Sequence, residues 1–222
     1  MVTLEPAGVR RQALSVGLAT ALYGISLGAV AVASGLSVLQ ACLTSLLLFS
    51  GGSQFALVGV LGSGGSVWAA VAASSLLGIR NGLYALQINA AIRPQGWRRP
   101  AAAQLTIDES TAVSVAQSDD AGRRLGFWLT GLTVYVGWNL MTLLGALIGR
   151  SIGDPRTYGL DAAAAAAFLA LVWPRLRHRS GLQIAALGAV VDLSLVPVLP
   201  AGLPIVAAGA VGLVAGLRQV SR

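Results

Sequence analysis

Three clusters of residues could do chemistry in this chain, and each interrupts a long apolar run. Ser50-Gly51-Gly52-Ser53-Gln54-Phe55 joins two backbone-freeing glycines to hydroxyl and amide groups. A helix beginning there would aim its unpaired first-turn N–H groups at a carboxylate. Arg80-Asn81, with Tyr84 one turn on, sets a guanidinium in the middle of a second apolar stretch. In lipid an unpaired arginine is disfavoured by at least ~2.5 kcal/mol, so Arg80 calls for an anion, either a solute or one of Asp108, Glu109 and Asp192. Asp108-Glu109 is the third cluster. Adjacent helical residues point about 100° apart, so the two carboxylates do not make a glycosidase pair. One of them could bind an ammonium or carry a coupling proton. Each cluster also has a purely structural reading: a close-packed kink, an internal ion pair, an interfacial acidic pair.

Signals for an enzyme are poor. Gly24-Ile25-Ser26-Leu27-Gly28 has the spacing of a nucleophile elbow, but an elbow needs a strand before it and a helix after it, and this string lies inside an apolar run. The one histidine, His178, sits among arginines and reads as solvated. No phosphate loop, dinucleotide fingerprint or zinc motif is present, and one cysteine with one histidine makes a transition-metal site improbable. No catalytic residue, metal or cofactor is expected. Cys42 stands alone in an apolar run, so it has no internal disulfide partner.

The elements that must position these clusters are membrane helices. Of 222 residues, 55% are hydrophobic and 10% charged, against about 25% charged in a soluble domain. The 68 residues from Gln12 to Ile79 hold no Asp, Glu, Lys or Arg, nor do the 25 from Leu125 to Gly149 or the 25 from Leu193 to Leu217. About 20 apolar residues cross the hydrocarbon as a helix, and barrel strands would alternate over shorter segments. The fold class is therefore all-α, a polytopic integral membrane protein in the cell (cytoplasmic) membrane. About six to eight multi-pass segments are expected, some broken or re-entrant.

The net charge of +7 comes from 15 arginines and no lysine. Without a soluble basic face carrying aromatics it reads as the positive-inside bias of loops and not as nucleic-acid binding. The chain reads as one transmembrane domain over 1–222, with a cytoplasmic segment 1–12 and basic loops at 93–100 and 174–180. Spans are expected at Ala13–Ala33, Ala41–Gly62 (interrupted at Ser50–Gln54), Ser66–Ile92 (interrupted at Gly78–Gly82), a short Ala101–Gln117, and Leu125–Gly149. A short helix from an Asp161 N-cap to Trp173 and two closing segments, Leu182–Leu199 and Gly202–Leu217, follow. Gly78 and Gly82 would permit close helix approach. No internal repeat is evident.

Placing Arg10/Arg11 and Arg93/Arg98/Arg99 on one side requires an even number of crossings between them, yet three apolar segments intervene. Ala41–Gly62 is then re-entrant, and the Asp108/Glu109 segment, which begins and ends on the cytoplasmic side, is re-entrant or interfacial. Such breaks are where transporters bind solutes.

Phe49-Ser50-Gly51-Gly52-Ser53-Gln54-Phe55-Ala56-Leu57-Val58-Gly59 resembles the hallmark of the AzlC-like branched-chain amino acid permeases. Ile79-Arg80-Asn81-Gly82-Leu83-Tyr84 resembles their second motif, with Asn81 where the family often has His. Leu105-Thr106-Ile107-Asp108-Glu109-Ser110 resembles their Thr-Asp-Glu region, with Ile107 inserted. Trp138–Gly149 fits as well. The resemblance implies export of branched-chain amino acids together with a small AzlD-like membrane subunit. On that reading Ser50, Gly51, Gly52, Ser53, Gln54, Phe55, Arg80, Asn81 and Tyr84 bind substrate, and Asp108 or Glu109 takes the ammonium or a coupling proton. A non-transporting membrane subunit, or a channel for another small solute, is the alternative.

Overall fold

The computed structural model describes residues 6–152, 169, 172–173, 176–200 and 203–220. Among them all regular structure is helical: α1 (Pro6–Ala33), α2 (Val38–Leu47), α3 (Gly51–Gly62), α4 (Val67–Ile92), α5 (Arg98–Leu105), α6 (Asp108–Val115), α7 (Asp120–Ile152), α8 (Arg179–Leu195) and α9 (Leu203–Val220). Two of these helices, α1 and α7, are long and apolar enough to cross a membrane on length and hydropathy alone, and three shorter apolar helices accompany them.

Glycines join α1 to α7. A Cβ on Gly28 would lie 2.0 Å from the Thr142 carbonyl oxygen, and one on Gly145 the same distance from that of Ile25. Gly17 faces Thr133, Gly24 faces Trp138 and Thr142, and Gly149 faces Ala29. Residue numbers rise together along both helices, so the pair runs parallel with backbone against backbone. Gly24 and Gly28, the glycines of the elbow-like string, are spent in this seam.

The chain then folds back twice. Ser37 starts α2 with a capping box, its Oγ accepting from Gln40 N at 3.2 Å while Gln40 Oε1 accepts from Ser37 N at 2.8 Å. The helix stops at Leu47, Ser50 is extended (φ −157°, ψ 100°), and α3 starts at Gly51. The expected break is present, but upstream of Ser53 and Gln54, which are helical. A Cβ on Gly62, at the far end of α3, would lie 2.5 Å from Ser34 Oγ, just before α2 begins. So α2 and α3 leave and return at the same end of α1, as expected of a re-entrant segment.

Helix α4 is continuous from Val67 to Ile92, which corrects the expected interruption at Gly78–Gly82. Glycine in a helix leaves its hydrogen bonds intact, and the charge of Arg80 is met by a partner and not by unwinding. Nor do the two glycines form a packing pair: Gly78 faces Ser53, whereas nothing lies within 4 Å of a Cβ on Gly82. The 93–100 loop is shorter than expected, because α5 takes in Arg98–Pro100 and proline is tolerated in a first turn.

Thr106 and Ile107 break α5 from α6. Thr106 Oγ1 donates to the Ala102 carbonyl at 2.7 Å. Ser110 Oγ accepts from Ile107 N at 3.1 Å and donates to the Leu105 carbonyl at 2.6 Å, which ties the break into a tight corner. At the end of this second fold-back Gln117 Nε2 donates to Gln12 Oε1 at 3.1 Å, at the opposite end of α1 from Ser34. Asp119 caps the turn before α7 by accepting from Gly122 N at 2.8 Å. Helix α7 therefore starts at Asp120, earlier than the expected Leu125.

The order long helix, short helix, break, short helix thus occurs twice, α1–α2–α3 and α4–α5–α6, the second copy running the opposite way. Helix α9 packs Val206 on Ala69, Ala70 and Ala73 of α4. The Asp161 cap, and Pro174 and Arg175 of the expected 174–180 loop, lie outside the described residues. Arg179 and Ser180 of that loop open α8, and His178, just before it, is exposed.

Candidate functional site

The two breaks meet half-way along α1. Thr20 and Tyr23 lie near its midpoint, Arg80 near the midpoint of α4 and Trp138 near that of α7, and all four line one cavity with the first turns of α3 and α6. The cavity measures about 190 Å³ and is bounded by Thr20, Tyr23, Phe49, Ser50, Gly51, Gly52, Phe55, Arg80, Asn81, Ile107, Asp108, Glu109, Val134 and Trp138. That is below the ~300–1,000 Å³ of sites for drug-sized ligands, so the space suits a small solute.

Helix α3 presents a bare N-terminus. Its N-cap Ser50 makes no side-chain cap; its Oγ donates instead to Ser53 Oγ at 3.2 Å. Gly51 and Gly52 carry no side chain to cover their own N–H groups, and a Cβ on Gly52 would sit 2.9 Å from Arg80 Nη2. Only glycine lets the guanidinium lie against this turn. Two positive features, a helix N-terminus worth about half a charge and Arg80, share one wall.

Helix α6 presents an acidic N-terminus. Asp108 and Glu109 occupy its first turn, where the helix dipole favours carboxylates. Asp108 Oδ2 lies 2.9 Å from Arg80 Nη1. The two side chains are 27% and 23% exposed, so the pair is better shielded from water than a surface bridge. Arg80 Nε and Asp108 Oδ1 are buried without a hydrogen-bond partner among the described residues. Glu109 points elsewhere and is half-buried, taking a hydrogen bond from the Thr20 side chain. The adjacent carboxylates therefore have different main partners: Asp108 pairs with Arg80, whereas Glu109 bonds a backbone N–H and the Thr20 hydroxyl and feels Arg80 without an ion pair. With Asp108 in this place, Asp192 of α8 is not the counter-ion of Arg80.

An apolar wall closes the site. Trp138 is 5% exposed, and its Nε1 donates to Gln54 Oε1 at 3.0 Å. Gln54, fully buried, donates in turn from Nε2 to the Thr44 carbonyl at 3.3 Å. Phe55 meets the indole edge-on with centroids 6.4 Å apart, and Phe49 meets Tyr135 the same way at 4.9 Å.

Of the residues singled out in the sequence, Ser50, Gly51, Gly52, Phe55, Arg80, Asn81, Asp108 and Glu109 come together at this cavity. Ser53 and Gln54 stand behind it as supports, and Tyr84 is not among the lining residues. Sequence reasoning missed Thr20, Tyr23 and Val134, and noted Phe49, Ile107 and Trp138 only as parts of motifs. An indole in mid-span, with an N–H that needs a partner, was the one available signal.

The family described as AzlC protein matches residues 15–152. The chain belongs to the AzlC family. The match runs from α1 to the end of α7 and so contains both breaks and every residue of the cavity. The family is one of membrane proteins linked to transport. This AzlC-family chain is similar to an uncharacterized membrane protein of Helicobacter pylori, 25% identical over 180 residues covering 80% of this chain and 78% of that one. It is 34% identical over 154 residues to an uncharacterized membrane protein of Archaeoglobus fulgidus, covering 68% and 67% of the two chains. A protein of the same description from a second Helicobacter pylori strain is 25% identical over 187 residues, 82% of each chain. No solved structure matches.

Proposed function

We propose that this AzlC-family protein is a multi-pass protein of the cell membrane that exports a small zwitterionic amino acid of the branched-chain type, working with a small AzlD-like membrane subunit. In this reading α1, α4 and α7 cross the bilayer, and the two broken hairpins enter it from opposite faces with their tips at mid-depth. Non-helical backbone is tolerated there because it lines a cavity.

The observation that carries the reading is the charge layout of one small cavity. The bare α3 N-terminus and Arg80 form a cationic corner for a carboxylate, and Glu109 offers an anion to an ammonium. Arg80 is paired with Asp108, so the α3 N-terminus and Glu109 are left as the groups of opposite character that face a solute. A site of that balance accepts a solute whose own charges cancel. Phe49, Phe55, Val134 and Trp138 give the remaining surface to an apolar side chain. The zwitterion needs no metal or cofactor, and the chemistry is binding and release alone. The branched-chain substrate, the outward direction and the AzlD-like partner follow from the family resemblance.

The test is efflux of radiolabelled valine and leucine from loaded cells carrying the chain alone, the chain with its partner, and the pair with Glu109→Gln or Arg80→Gln. Export by the pair, lost in both variants at normal protein levels, is expected. Full export by the chain alone removes the partner. Unchanged export in both variants removes the site.

A further inference from the structure

The geometry points to Trp138 as the residue that sets the upper size of the solute; this rests on the amino-acid reading above. The indole is placed by two contacts, the first of which is backed by a further hydrogen bond. Its one polar atom is tied to Gln54 Oε1 at 3.0 Å. Gln54 cannot turn over, because the indole only donates and the Thr44 carbonyl only accepts, so each end of the amide has one permitted partner. Phe55 holds the ring edge-on, perpendicular to its own plane. What remains of the indole is its six-membered edge, and that edge faces the first turn of α3: a Cβ on Gly51 would lie 3.2 Å from Cη2 and 3.5 Å from Cζ2.

The edge therefore stands beside the cationic corner. A solute whose carboxylate sits at Gly51-Gly52 has its first side-chain carbons within reach of the ring. Size is filtered only by a wall that does not yield. A side chain free to change rotamer would admit larger solutes, whereas Trp138 is locked by a hydrogen-bonded relay whose middle member, Gln54, is fully buried. Val134, one turn earlier on α7, extends the same wall. Tyr23, also in the lining, is by contrast half exposed.

The test is retention of radiolabelled valine by the purified full-length protein in detergent, competed by alanine, valine, leucine, phenylalanine and tryptophan. In the wild type, competition should hold through leucine and fail for the two aromatic amino acids. In Trp138→Leu, phenylalanine and tryptophan should gain tenfold or more in competition. A merely structural role would instead weaken all five amino acids together and leave their order of competition unchanged. If Trp138→Leu does not fold, Trp138→Phe keeps an aromatic edge against Phe55 and carries the same test with a smaller gain. A folded variant with the wild-type order of competition overturns the inference while leaving the amino-acid reading in place. A wild-type protein that retains no amino acid overturns both.

Discussion

Replacing Gly28 by alanine should loosen the whole molecule, although it adds one methyl group to a helix. The new Cβ would lie 2.0 Å from the Thr142 carbonyl oxygen and 2.5 Å from Ala146 N. Both are backbone atoms of α7 and cannot swing aside. The two helices must separate by about 1 Å at this turn, which forfeits up to about half of each ~0.1–0.2 kcal/mol atom-pair contact. Over the roughly 50 atom pairs of a buried patch that is about 3–4 kcal/mol. Alanine's better helix propensity returns about 1 kcal/mol, leaving a loss of about 2–3 kcal/mol, in line with overpacked cores. At about 2–4 °C per kcal/mol for a chain of this size, melting should fall by roughly 5–10 °C.

Gly82→Ala is the control. Nothing lies within 4 Å of its Cβ position, so only the propensity gain applies and melting should hold or rise. The chain supplies its own reporter: Cys42 is its only cysteine and is partly buried, so a thiol-reactive fluorogenic dye follows unfolding in detergent. If Gly28→Ala melts at or above wild type, or Gly82→Ala melts as low as Gly28→Ala, the parallel backbone seam between α1 and α7 is wrong.

Three further outcomes follow from the site. Asp108→Asn strands the Arg80 guanidinium against the positive end of α3 and should destabilise by about 3 kcal/mol, the lower end for breaking a shielded pair; Arg80→Gln combined with it should recover part of that loss in a double-mutant cycle, and strict additivity would contradict the pairing. Glu109→Gln should melt within about 2–4 °C of wild type, an effect under ~1 kcal/mol, because among the described residues it bonds neutral groups and makes no ion pair, so a large fall would show Glu109 to be structural. Gln54→Leu leaves the Trp138 N–H unpaired, the Thr44 carbonyl keeping its bond from Leu48 N, and should lower stability by about 1–3 kcal/mol; an unchanged melting curve would refute the relay.

Much of this was legible in the residues. Gly51-Gly52 between hydroxyls marks a place where a helix stops and restarts, since glycine lowers helix preference and serine supplies an alternative cap. The parity of loop arginines pointed to a segment that folds back, and α2 and α3 leave and return at one end of α1. Arg80 marked mid-depth, because a charge there needs a partner. It did not mark a break: the structure answers its charge with Asp108 and leaves the backbone of α4 intact. The start of α7 at Asp120 was hidden by a polar first turn, which composition reads as loop. Least legible was the seam. Glycines are spread through the sequence, and nothing in their spacing says that Gly17, Gly24 and Gly28 face α7 while Gly59 and Gly82 face open space. The repeat was equally hidden, because it is a repeat of backbone order and not of residues.

That last mismatch bears on which way round a solute travels. The two hairpin tips correspond in backbone, but one ends in bare glycines and the other in two carboxylates. The scaffold is two-fold and its chemistry is not. On the proposed reading a zwitterion is held head-to-tail, with its carboxylate at the α3 tip and its ammonium at the α6 tip. On the same reading the α6 hairpin enters from the side of Arg10, Arg11, Arg93, Arg98 and Arg99, taken as cytoplasmic. An exported amino acid therefore leaves carboxylate first. Access can switch between the two faces without the solute ever turning over.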